Sequence, residues 1–133
     1  MRLTSELCTR PCISPDGKWI TSWHKNQAPN STWHIAIFPM EGGEPVKRFA
    51  VPLSEANGDS TVHWAEDGQA ILYIDYQNGR TKLMNQPLAG GPPEQLVSPT
   101  NDLIYSFDRS RDGRIAFSRA VATSDVVLIR ENR

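Results

Sequence analysis

Residues 64–97, WAEDGQAILYIDYQNGRTKLMNQPLAGGPPEQLV, decide the fold. Asp67-Gly68 is a tight-turn pair, because glycine accepts positive φ and aspartate can bond back to the turn. Ile71-Leu72-Tyr73-Ile74 is a β-branched and aromatic run of strand length. Asn78-Gly79 is the strongest short hairpin signal. Thr81, Leu83 and Asn85 then alternate with Lys82, Met84 and Gln86, and Ala89-Gly90-Gly91 closes that strand. Pro92-Pro93 cannot donate to a ladder, so pairing resumes near Gln95-Leu96-Val97. With Thr61-Val62-His63-Trp64 in front, the segment predicts four short antiparallel strands joined by hairpins.

The flanking chain reads as imperfect copies. Ser14-Pro15-Asp16-Gly17-Lys18, Ala65-Glu66-Asp67-Gly68-Gln69 and Ser110-Arg111-Asp112-Gly113-Arg114 align, with their aspartates 51 and then 45 residues apart. Gly42-Gly43 and Gly90-Gly91 are 48 apart. A period of about 40–50 residues with four strands per copy points to propeller blades. The expected fold class is all-β: a partial β-propeller of four-stranded antiparallel blades, about two and three-quarter blades in all. The expected blades cover about 8–50, 60–97 and 103–130 of a single unit, 1–133, with 2–4 as the remnant of a preceding blade. The first blade should have strands near 8–13, 18–23, 33–39 and 45–50. It should also have one uncovered face, exposing parts of Trp19, Trp33 and Ile35. The run 126–130 should form a free edge that recruits another strand. The remainder of a propeller, or a second copy of the chain, is the expected partner there.

Composition narrows the function classes. Apolar residues make up 38% of 133, and no run approaches the roughly 20 needed to span a bilayer. MRLTSELCTR lacks an apolar core, so no signal peptide is read. The formal net charge is −1 with the signs interleaved, which argues against a nucleic-acid surface. Cys8 and Cys12 would lie about 13 Å apart on an extended strand, beyond the roughly 7 Å a disulfide allows. A bond would need a bend at Pro11, and two part-buried thiols are expected instead.

No nucleophile elbow, phosphate loop, kinase catalytic loop or calcium loop occurs, so neither catalysis nor a cofactor or metal is expected. His24, His34 and His63 are dispersed and read as hydrogen-bonded edge or surface residues. Asp16, Asp67 and Asp112 recur at the module period, which assigns them to turn formation. Asp75 and Asp108 end strand-like runs and are expected to be solvated or to cap turns. Trp19, Trp23, Trp33 and Trp64 are expected to fill the space between blades. A carbohydrate or peptide platform is the alternative for Trp23 and Trp33. Binding is expected on polar loops that differ between copies. Those loops are 24–32, 54–60, 98–102 and 119–125. The candidate residues are Trp23, His24, Asn26, Asn30, Trp33, Asn57, Asp59, Asn101, Asp102, Arg119 and Ser124.

SPDGKWI, WAEDGQAILYI and SRDGRIAFSR resemble the PD40, or WD40-like, repeat of TolB-type β-propellers, and the resemblance covers nearly the whole chain. The second and third copies depart from it, with AED and SRD in place of SPD. GGEPVKRF and TSDVVLI are similar to phrases near the C-terminal end of such propellers in large bacterial multidomain proteins. The resemblance implies a non-catalytic binding or scaffold module for protein or ligand partners. It also implies two alternatives: the sensor region of a serine/threonine kinase or winged-helix regulator, and the accessory propeller of a prolyl-peptidase-like hydrolase. It further implies a periplasmic or extracytoplasmic setting. Met1 falls inside a blade, as expected of part of a longer product.

Overall fold

The computed structural model describes residues 4, 6–51, 62–97 and 102–121. Among them there are ten strands and no helix: β1 (Leu7–Ile13), β2 (Trp19–Lys25), β3 (His34–Pro39), β4 (Lys47–Phe49), β5 (His63–Trp64), β6 (Ala70–Gln77), β7 (Arg80–Pro87), β8 (Glu94–Val97), β9 (Leu103–Arg109) and β10 (Ile115–Ala120). They form three antiparallel sheets in sequence order. Sheet A is β1-β2-β3-β4, sheet B is β5-β6-β7-β8, and sheet C pairs β9 with β10.

The repeated turns close the first hairpin of each sheet in nearly the same way. The Gly17 amide donates to the Ser14 carbonyl at 2.9 Å, Gly68 to Ala65 at 2.9 Å and Gly113 to Ser110 at 3.0 Å. The aspartates serve the turn as expected, Asp16 Oδ1 accepting from the Lys18 amide at 3.1 Å and Asp67 Oδ1 from the Gln69 amide at 2.9 Å. The ladder then resumes five residues on in the first two copies, Ser14 to Trp19 and Ala65 to Ala70. It resumes four residues on in the third, Ser110 to Arg114. Asn78 (φ 51°) and Gly79 (φ 72°) are both left-handed, as a two-residue hairpin turn between β6 and β7 requires.

Side-chain alternation places sheet B between the other two. Ile71 and Tyr73 point to sheet A and join Trp23, Ile35, Ile37, Val51, Val62 and Trp64 in one core. Ala70, Leu72 and Ile74 point to sheet C and meet Leu83, Ile104 and Phe107 in a second. A strand buried on both faces loses its polar alternation, which is why β6 reads as a continuous apolar run. Bonds between sheets fix their relative polarity. The Trp64 indole donates to the Cys12 carbonyl at 2.9 Å, and the Ile104 amide donates to Thr81 Oγ1 at 2.5 Å. The Lys47 ammonium donates to the Leu88 carbonyl. Turns 14–18, 40–43, 65–69, 89–91 and 110–114 therefore share one end, the turn end. Segments 26–33 and 77–80 and the starts of β1, β5 and β9 share the other, the loop end.

Three expectations need correction. Ile35 is fully buried, because it faces sheet B across from Trp23. The reverse face of sheet A is covered as well, with Ser22, His24, Ala36 and Phe38 all buried, while Trp19 and Trp33 pack partly against the first core. Asp75 does not end its strand in solvent. It lies within β6, 7% exposed, opposite Lys82. Both cysteines are free thiols, and burial pushes both up from their ordinary value. The bend between them is a bulge at Thr9/Cys12 with Arg10 at φ 54°. The Ser22 hydroxyl donates to the Thr9 carbonyl at 2.8 Å beside it. The runs 2–3, 54–60, 98–101 and 126–130 lie outside the described residues.

Candidate binding surface

At the loop end the chain between β2 and β3 is shaped by two asparagines. Asn26 Oδ1 accepts from the Ala28 amide at 3.1 Å, a side-chain turn that stands in for a backbone one. Asn30 adopts φ 64°, a conformation asparagine tolerates better than most residues, and both asparagines are exposed. Beneath this loop His24 Nδ1 and His34 Nε2 are 2.8 Å apart and hydrogen-bonded, the tautomers deciding which ring donates. The Glu6 carboxylate lies against His24 Nε2 as an ion-pair contact that does not meet hydrogen-bond geometry. Burial pushes the His34 imidazole down from its ordinary value, and the charges of His24 and Arg48 push the same way. Glu6, His24 and His34 thus tie together the segment before β1 and strands β2 and β3.

Across the same end, Arg119 Nη1 and Asp102 Oδ2 are 3.3 Å apart, joining the start of β9 to the end of β10. Two candidates that sequence could only place on separate loops are therefore one pair. Asp75 and Tyr73 lie side by side on the face of β6 that looks toward sheet A. Burial pushes the Asp75 carboxyl up, with Lys82 and hydrogen bonds from Gln77 and the Tyr76 backbone opposing, and Asp75 Oδ1 has no hydrogen-bond partner among the described residues. Burial, with the Asp75 charge, pushes Tyr73 up to about 12.

The candidates sort by exposure. Asn26, Asn30 and Arg119 are exposed, while Asp102 and Trp33 are half-buried. Trp23 and His24 are corrections: at 0% and 1% exposure they serve the interior and offer no platform. The reason is that both faces of β2 are covered, which its mixed sequence WITSWHK does not reveal. Asn57, Asp59, Asn101 and Ser124 lie outside the described residues. Among the described residues no group of three or more His, Cys, Asp or Glu is arranged to hold a metal ion, and no helix is long and apolar enough to cross a membrane.

The turn end holds two clefts that the loop-centred reading missed. One of about 740 Å³ lies between sheets B and C, and one of about 730 Å³ lies between sheets A and B. The available signal was the repetition of the Asp-Gly turn, which sets Asp16 and Asp67 on one cleft where sheets A and B meet.

No family model matches the chain, and no curated protein matches it. Solved structures do. It is similar to TolB from Acinetobacter baumannii, with a TM-score of 0.64 and 18% identity over 94% of this chain and 29% of that one. It is similar to a putative TolB from Agrobacterium tumefaciens, with a TM-score of 0.57 and 19% identity over 86% of this chain and 54% of that one. The chain thus has the TolB-like β-propeller fold, all-β and partial, and spans less than two thirds of either structure.

Proposed function

We propose that the chain is a non-catalytic β-propeller module that binds a protein or small-ligand partner at its loop end. One observation carries this. The end that builds the blades repeats the same turn three times, while the opposite end carries side chains that differ from sheet to sheet: Asn26 and Asn30 on one, Asp102 and Arg119 on another. Sheets supply a rigid base, and variable polar loops on such a base are where propellers place recognition. The likeness to TolB structures supports the scaffold.

A peptide-display selection against the purified chain tests this. Enriched binders should lose affinity on Arg119→Glu and on replacement of residues 26–32 by a glycine-serine linker. Binders indifferent to both changes would overturn the loop-end reading.

A further inference from the structure

The cleft between sheets A and B has complete walls. Each side is a four-stranded sheet, whereas the cleft between sheets B and C is bounded on one side by β9 and β10 alone among the described residues. Its volume, about 730 Å³, is that of a ligand pocket. Trp19 and Trp64 line it. The Trp64 N–H is already used by the Cys12 carbonyl, so its ring offers π-surface and no donor. Val46, 52% exposed, and Leu88 add an aliphatic wall.

Among the described residues, Asp16 and Asp67 put carboxylates on this space, with Glu66 at its rim. The repeat brings the turns together, Pro15 Cδ lying 4.0 Å from where a β-carbon on Gly68 would sit. Asp16 and Asp67 use Oδ1 to close their turns, which leaves each a second oxygen. The Ser14 hydroxyl and the Lys18 amide hold the Asp16 carboxyl below the usual carboxylate range, so it is charged at neutral pH. Glu66 is exposed. Lys47 is the one cation among the described lining residues, and its ammonium is committed to the Leu88 carbonyl. The cleft is therefore aromatic, partly aliphatic and net negative, and low-dielectric walls strengthen that field.

We propose that this cleft is a second binding site, which takes an exposed arginine or lysine of a protein partner together with a neighbouring apolar residue. The carboxylates receive the cation, and the indole of Trp19 lies beside it as a cation–π partner. The aliphatic wall selects a polypeptide over a bare amine, because a free guanidinium or ammonium leaves Val46 and Leu88 uncovered. The site lies at the opposite end of the sheets from Asn26, Asn30, Asp102 and Arg119 and shares no residue with them.

The test uses the full chain labelled with nitrogen-15 and the blocked tripeptide acetyl-Leu-Arg-Leu-amide. Binding should move the indole signals of Trp19 and Trp64 and leave those of Trp23 and Trp33 in place, with a Kd on the order of 1 mM. The citrulline analogue, equal in shape but uncharged, should bind at least about tenfold more weakly. Glu66→Lys changes an exposed side chain and should weaken the arginine peptide by at least about tenfold, while Arg119→Glu should leave it unchanged. Equal binding of the arginine and citrulline peptides, or unmoved Trp19 and Trp64 signals, would overturn the proposal. So would indifference to Glu66→Lys, or a loss on Arg119→Glu. Methylguanidine binding as tightly as the tripeptide would overturn the polypeptide assignment.

Discussion

The indole of Trp64 reaches across from sheet B and donates to the backbone carbonyl of Cys12 in sheet A, 2.9 Å away. Trp64 is 7% exposed, so the bond forms in a largely dry setting. It joins the first strands of two neighbouring sheets at the point where the repeated turns begin.

Trp64→Phe keeps most of the ring volume and removes the donor. The Cys12 carbonyl is left without that partner, at a cost of about 1–3 kcal/mol. Trp33→Phe, at a half-buried site, should cost less. Urea melts of the two variants measure the difference, and equal midpoints would show that the bond contributes nothing to stability.

Asp75 makes stability depend on pH in an unusual direction. Burial raises its folded pKa above the unfolded value, so the folded state binds the proton more tightly. The penalty for burying the charge is full above the folded pKa. It is relieved as pH falls through that value toward the unfolded pKa of about 3.9. Relative to Asp75→Asn, the unaltered chain should therefore gain stability as the buffer is taken from neutral toward about pH 4. A stability difference between the two that stays flat with pH would contradict the burial of this carboxyl.

Gly91 sits at φ 90°, with nothing within 4 Å of an added β-carbon. Substitution there meets backbone strain and no clash. Gly91→Val should cost on the order of 1–3 kcal/mol, and Gly91→Asn distinctly less. Gln86 Nε2 donates to the Gly91 carbonyl at 3.1 Å, and its amide protons should exchange faster in the Val variant than in the Asn variant. Equal melting temperatures for the two variants would rule out the left-handed conformation.

Ser14 and Ser110 hold the same place in the repeat with different burial. Ser14 is 5% exposed, donates to Asp16 at 2.6 Å and accepts from the Trp19 amide at 2.9 Å. Ser110 is exposed, so water replaces its bonds readily. Ser14→Ala should cost about 1–2 kcal/mol and Ser110→Ala less than about 0.5 kcal/mol. Thermal melts decide it, and a larger loss at Ser110 would reverse the argument.

What was legible in the sequence was what neighbouring residues decide among themselves. Asp16-Gly17, Asp67-Gly68 and Asn78-Gly79 announce hairpins because the need for positive φ is local. Their recurrence gave the propeller class before any contact was known. Asp75 and His24 were misplaced because their burial is imposed by other sheets and strands, and no short window of sequence carries that information. The Asp102–Arg119 pair was half legible: both residues were singled out, but their meeting depends on the β9–β10 register, with its bulge at Ser118/Arg119. The cleft at Asp16 and Asp67 escaped because a residue with a sufficient turn-forming role invites no second question.

Strand order within each sheet follows chain order without a crossover. A chain leaving the ribosome would therefore have every hydrogen-bonding neighbour of a strand either just made or next to be made. Loop closure between distant segments is little needed inside a sheet, and its entropy is the usual brake on β-folding. Sheet A can zip before β5 exists, and the apolar face it then shows, with Trp23, Ile35 and Ile37, is the surface on which sheet B next assembles. Folding of this kind is vectorial. Its exposed moment falls between the completion of one sheet and the arrival of the next, and a pause in translation there would be the point of greatest risk of aggregation.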